Sequence, residues 1–136
     1  MAASIFLDSE ALSSLAYAAS DSKAKRRARA ILEIARESAK PPRVSAAVLA
    51  EVCRGKARDA AVNRVLAGIH VVAVSETIGR FAGSLLHAHG LSSQHAVDAF
   101  VVATAVAGGG GLIATSDPRD ITRLAAGLAG IQVFRL

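Results

Sequence analysis

Four carboxylates stand where the chain passes from an apolar stretch into a helical pattern. Asp8 follows Ile-Phe-Leu, Glu51 lies in Ala-Ala-Val-Leu-Ala-Glu-Val-Cys, Asp98 in His-Ala-Val-Asp-Ala-Phe-Val-Val-Ala, and Asp117 follows Leu-Ile-Ala-Thr-Ser. Asp98 is the sharpest signal, because its helix has scarcely a polar face. An unpaired carboxylate there is costly or takes up a proton. A divalent cation is one of the few partners that satisfies it; backbone amides at a helix start are another. Glu51 also has apolar neighbours and needs a partner, either a cation or Arg54 three residues on. Asp8 and Asp117 have a second reading as helix N-caps, and Asp117-Pro-Arg-Asp120 fits N-cap, N1, N2 and N3. Asp120 then complements the helix dipole. A capping carboxylate still keeps an oxygen for a cation.

The elements between these residues bring them together. Five short apolar stretches read as strands: Ser4–Leu7, Arg43–Ala46, His70–Val74, Gly111–Thr115 and Ile131–Phe134. Helical periodicity covers Ser9–Ala18, Ser22–Ala39, Val48–Arg54, Ala57–Leu66, Ser75–His89, His95–Ala107 and Asp117–Leu128. Strands alternating with helices predict an α/β fold, a parallel sheet with helices on both faces. Ligands of such sheets bind at the carboxyl edge of the strands. Helices run antiparallel to the strands, so their N-termini share that edge. Topology therefore gathers Asp8, Glu51, Asp98 and Asp117. Four carboxylates within a few ångströms repel one another, and without a cation at least one is protonated at neutral pH. An all-oxygen set suits Mg²⁺ or Mn²⁺ rather than Zn²⁺, ions that promote phosphodiester hydrolysis.

The 136 residues fit one compact domain, 1–136, with no linker, repeat or low-complexity segment. Hydrophobic residues make up 52% and aromatics only 4%, so Ala, Val, Leu and Ile must carry the packing. Net charge is +5, which favours polyanionic partners, nucleic acid first. That excess becomes informative if the eleven acids are gathered in one place. No apolar run reaches the roughly 18 residues needed to cross a membrane. Residues 1–8 lack the basic flank and apolar centre of a secretion signal. A single cysteine, Cys53, forms no internal disulfide, and a reducing cytoplasm is the expected setting.

These residues resemble the PIN-domain nucleases, and among them the VapC-type toxins of bacterial toxin–antitoxin pairs. The matching pieces are Ile-Phe-Leu-Asp8-Ser-Glu-Ala-Leu, Val-Ser-Ala-Ala-Val-Leu-Ala-Glu51-Val, Val-Asp98-Ala-Phe-Val-Val-Ala and Leu-Ile-Ala-Thr-Ser-Asp117-Pro-Arg-Asp120-Ile. They occur in the family's order and span nearly the whole chain. The resemblance implies a three-layer fold on a five-stranded parallel sheet of order 3-2-1-4-5. It implies Mg²⁺- or Mn²⁺-dependent endoribonuclease activity on the quartet Asp8, Glu51, Asp98 and Asp117. Asp8 and Asp98 would be direct metal ligands; Glu51 and Asp117 would orient water or hold a second ion. Asp120 would be a fifth acid, and Thr115 or Ser116 would position water or phosphate. Arg119, read from its place between Asp117 and Asp120, either touches substrate or is a plain surface residue. A homodimer and a small VapB-like antitoxin covering the site are the implied partners. One departure is Glu10, where many relatives carry Asn, Ser or Gly; it faces either the site or solvent.

Other signals carry less. The run Lys23-Ala-Lys25-Arg26-Arg27-Ala-Arg29 reads as a solvated helix start, with Arg29 and Glu33 paired, or as an RNA-phosphate track. His95 lies one turn before Asp98 and could stand behind it. Cys53 reads as inert core. A receiver domain or a haloacid-dehalogenase-type phosphatase shares the topology, but each needs a late lysine, and none follows Lys56. The phosphatase also needs an Asp where Glu10 stands. The remaining alternatives are an RNA-processing nuclease without a toxin role and a PIN-like module that binds without cutting.

Overall fold

A computed structural model describes residues 4–136; residues 1–3, part of the stretch read for a secretion signal, lie outside it. The strands are β1 (Ile5–Leu7), β2 (Arg43–Ser45), β3 (His70–Val72), β4 (Gly111–Thr115) and β5 (Ile131–Arg135). The helices are α1 (Ser9–Tyr17), α2 (Lys23–Glu37), α3 (Leu49–Val52), α4 (Ala60–Leu66), α5 (Glu76–Ala88), α6 (Ala96–Ala107) and α7 (Pro118–Ala125). All strand pairs are parallel and the sheet order is β3-β2-β1-β4-β5. That is the expected PIN-like α/β fold, down to the strand order.

Side chains alternate across a strand, and β1 uses both faces. Phe6 joins Ile113, Val102 and Leu85 in one core, whereas Ile5 and Leu7 join Ala114, Ala11 and Ile31 in another. The sheet is thus covered on both sides. No residue of β1 is more than 8% exposed, which is why its sequence is apolar without alternation. The nearly non-polar α6 follows the same logic: it packs against β1, β2, β4, α5 and α7. Among the described residues no helix is long and apolar enough to cross a membrane.

Element ends differ from the sequence reading where capping and turns intervene. Ser22 and Ser75 cap α2 and α5 with their hydroxyls and so stand outside the helices. The segment after β2 folds first as a 3-10 turn, Ala46–Val48, leaving α3 only four residues. Likewise 56–59 form a 3-10 turn before α4, steadied by Asp59, which accepts from the amides of Arg54 and Gly55. Glu33 pairs with Arg36 and not with the expected Arg29. Cys53 is half-buried, packed on the larger core.

The approach to β4 is built on close backbone contact. A Cβ on Gly111 would stand 2.3 Å from the Ser4 carbonyl oxygen, at φ +150°, beside the bond from the Leu112 amide to that oxygen. Gly111→Ala is therefore expected to destabilise the chain by about 3 kcal/mol or more. Gly109→Ala, with φ +90° but nothing within 4 Å, should cost about 1–2 kcal/mol. Urea unfolding of the two variants checks the ratio; equal losses would mean that backbone conformation and not the contact sets the cost.

Candidate metal centre

Asp8 ends β1 and begins α1. Its carboxylate accepts from the Ala11 amide at 2.8 Å, the geometry of an N-cap. The capping alternative is thus realised, yet it does not exhaust the residue. Asp8 is only 2% exposed, and burial pushes its pKa up to about 7. The Thr115 hydroxyl and the Ala11 amide pull the other way, while Asp98 and Glu10 add to the rise. The cap bond replaces only part of the hydration that burial removes from the charged form.

Asp98 lies in the first turn of α6, half-buried. Burial raises its pKa to about 6, and Asp120, Glu51 and Asp117 push in the same direction against His95. Among the described residues no backbone amide donates to it, so the helix-start alternative is not what holds it. Asp117 also corrects an alternative: it occupies the N-cap position of α7, with Pro118 next, but its side chain makes no capping bond. Instead its amide donates to Thr115 Oγ1 at 3.0 Å, and the residue is exposed.

Glu51 departs from its expected apolar setting. The four-residue α3 buries Val52 and turns Glu51 outward, where Oε1 accepts from the Ser9 hydroxyl at 2.6 Å. The alternative ion pair with Arg54 does not form; the Arg54 guanidinium lies 4.1 Å over the Tyr17 ring. Ser9, next to Asp8, is a site neighbour that sequence reasoning passed over. Its adjacency to Asp8 was the available signal.

Glu10 is resolved as a member of the site's rim: its Oε2 accepts from Ser116 Oγ at 3.3 Å, and its charge reaches Asp8. Thr115 is fully buried between the Asp117 amide and Asp8, so it holds acids in place and does not face solvent. Ser116 is half-buried and Arg119 exposed. Asp120, in the first turn of α7, lies 3.6 Å from His95 Nδ1. One ligand atom each from His95, Asp98 and Asp120 sit within 4.8 Å of one another.

Six of the eleven acids (Asp8, Glu10, Glu51, Asp98, Asp117 and Asp120) thus act on one another in a basic protein. Among the described residues no lysine or arginine is ion-paired to any of them. The donor set fits a hard divalent cation, which would offset the burial of Asp8 and the mutual repulsion around Asp98.

The sequence profile of the PIN domain matches residues 5–127. No curated protein matches the chain by sequence. Among solved structures, a toxin–antitoxin complex from Klebsiella pneumoniae aligns over 98% of this chain and 100% of its own, with 21% identity and a TM-score of 0.67. VapBC2 from Rickettsia felis, bound to a DNA fragment from its promoter, aligns over 97% and 98%, with 16% identity and a TM-score of 0.72. VapBC-5 from Mycobacterium tuberculosis, of the VapBC toxin–antitoxin family, aligns over 98% and 99%, with 16% identity and a TM-score of 0.59. At these identities the likeness is one of fold.

Proposed function

Because the chain belongs to the PIN domain family, we propose that it is a Mg²⁺- or Mn²⁺-dependent endoribonuclease, the toxin of a VapBC-type toxin–antitoxin pair. The observation that supports this most is the buried Asp8 carboxylate, pushed up to about 7, beside an acid group centred on Asp98. Such an arrangement resists its own charge and is relieved by a cation. When bound, Mg²⁺ or Mn²⁺ supplies the Lewis acidity that phosphodiester hydrolysis requires.

Each residue then has a task. Asp8 and Asp98 hold the cation, and the Ala11 amide fixes the Asp8 rotamer. Glu51, steadied by Ser9, orients the attacking water and accepts its proton. Asp117 completes the quartet, and Thr115 fixes its backbone. Asp120 is the fifth acid. Ser116 and the exposed Arg119 border the site, where an RNA phosphate would lie.

A protein partner is supported separately. A groove of about 780 Å³ between α1, α2 and α4 is lined by apolar side chains including Leu15, Leu32, Val65 and Ile69 and by Lys25, Arg29 and Arg64, with Arg36 paired to the one lining acid, Glu33. That chemistry suits an amphipathic acidic segment such as an antitoxin tail. We take the full chain, 1–136, as one PIN domain acting as a homodimer in the cytoplasm.

Incubating the purified protein with a panel of RNAs tests the reading. Cleavage is expected with Mg²⁺ or Mn²⁺ and none with EDTA. RNA retention without any cation-dependent product would favour a binding module instead. Growth arrest on expression, relieved by a co-expressed partner, separates the toxin from an RNA-processing nuclease.

A further inference from the structure

One neighbour of Asp98 is not an oxygen donor. His95 closes a 3-10 turn, Ser93–His95, and occupies the N-cap position of α6 without making a capping bond. Asp120 arrives from α7, which packs on α6. The 3.6 Å between His95 Nδ1 and Asp120 Oδ2 exceeds a hydrogen bond between nitrogen and oxygen. Ligands of an octahedral ion with bonds of about 2.1 Å stand about 3 Å apart along an edge and about 4.2 Å across the diagonal. The trio, with its ligand atoms within 4.8 Å of one another, is close to those spacings before any ion enters. All three residues are half-buried, so the position is open to solvent ions and partly shielded.

We infer that His95, Asp98 and Asp120 form a mixed nitrogen–oxygen cation position that selects Mn²⁺ over Mg²⁺. This deepens the proposed nuclease reading and rests on it for the presence of a cation. Mg²⁺ favours oxygen ligands and retained waters. An imidazole nitrogen shifts a site toward transition ions, and the two carboxylates keep it in the range of Mn²⁺. The positive ends of α6 and α7 work against a cation here. Glu51 and Asp117 act on Asp98 from other elements and add negative charge that opposes them. Asp98 joins this trio to the acids around Asp8.

Pulsed EPR of the full chain with equimolar Mn²⁺ tests the assignment directly. Nitrogen modulation from a bonded imidazole is expected in the wild type and absent in His95→Gln. Calorimetric titration of the same pair should show Mn²⁺ binding weakened about tenfold or more, and Mg²⁺ binding changed less than about twofold. Bound Mn²⁺ without nitrogen modulation overturns the inference, as does a signal that survives in His95→Gln. So does an equal loss for both ions. RNA cleavage by the wild type, measured alongside, separates the two readings. Cleavage with Mn²⁺ but no nitrogen signal removes His95 alone, whereas neither Mn²⁺ binding nor cleavage removes the nuclease reading as well.

Discussion

Asp8→Asn should leave a protein that is more stable than the wild type without metal at pH 8 and at least about 100-fold slower on RNA. The two effects share one cause. Asn caps a helix as well as Asp does, so the bond to the Ala11 amide survives. What disappears is a negative charge in a site only 2% exposed. A pKa raised from 3.8 to about 7 corresponds to on the order of 4 kcal/mol, the upper limit of the expected gain. Urea unfolding in EDTA and cleavage rates in Mn²⁺ measure the two halves. A variant that loses stability and activity together would show Asp8 to be a structural cap. One that cuts as well as the parent would remove Asp8 from the metal site.

The second large effect links cation, proton and heat. Raised carboxylate pKa values mean that the folded, metal-free chain binds protons more tightly than the unfolded chain. Its stability is therefore greatest at acid pH and falls as pH climbs through about 6 and about 7, the values of Asp98 and Asp8. A cation competes with those protons. At pH 8, Mn²⁺ at about 100 times its Kd should stabilise by about 2.7 kcal/mol, a Tm rise of roughly 8 °C for a chain of this size. At pH 5 the rise should shrink below about 2 °C, because both carboxylates hold protons. Calorimetric scans with Mn²⁺ and with EDTA at the two pH values decide it. A rise of equal size at both would mean that the ion binds elsewhere.

Much of this arrangement was legible in residue order. Unbroken apolar strands such as Ile-Phe-Leu and the apolar α6 announce elements covered on both sides, and that pattern leads to a parallel sheet with acids along one edge. The crowding of Asp98 by other acids was legible because an acid inside Ala-Val-Asp-Ala-Phe-Val-Val needs a partner from another element. The setting of Glu51 was not. Whether it faces core or water depends on how many residues a 3-10 turn takes from α3, and local propensity does not decide that. Asp117 looked like a cap because its sequence is a cap sequence; the Thr115 hydroxyl fixes its backbone instead. The Ser9–Glu51 bond, the place of Glu10 and the His95–Asp120 approach all join residues far apart in the chain. Each is a product of packing, invisible to any window along the sequence.

The pairing of the first strand with the fourth, Ile5 beside Leu112, has a consequence for synthesis. During synthesis Asp8 precedes β4 and Asp117, because β2, β3 and α1 to α6 all lie between them. Until then the first acid lacks Thr115 and the enclosure of the paired strands, which burial of Asp8 requires. The acid group around Asp8 and Asp117 therefore closes only once β4 has paired with β1.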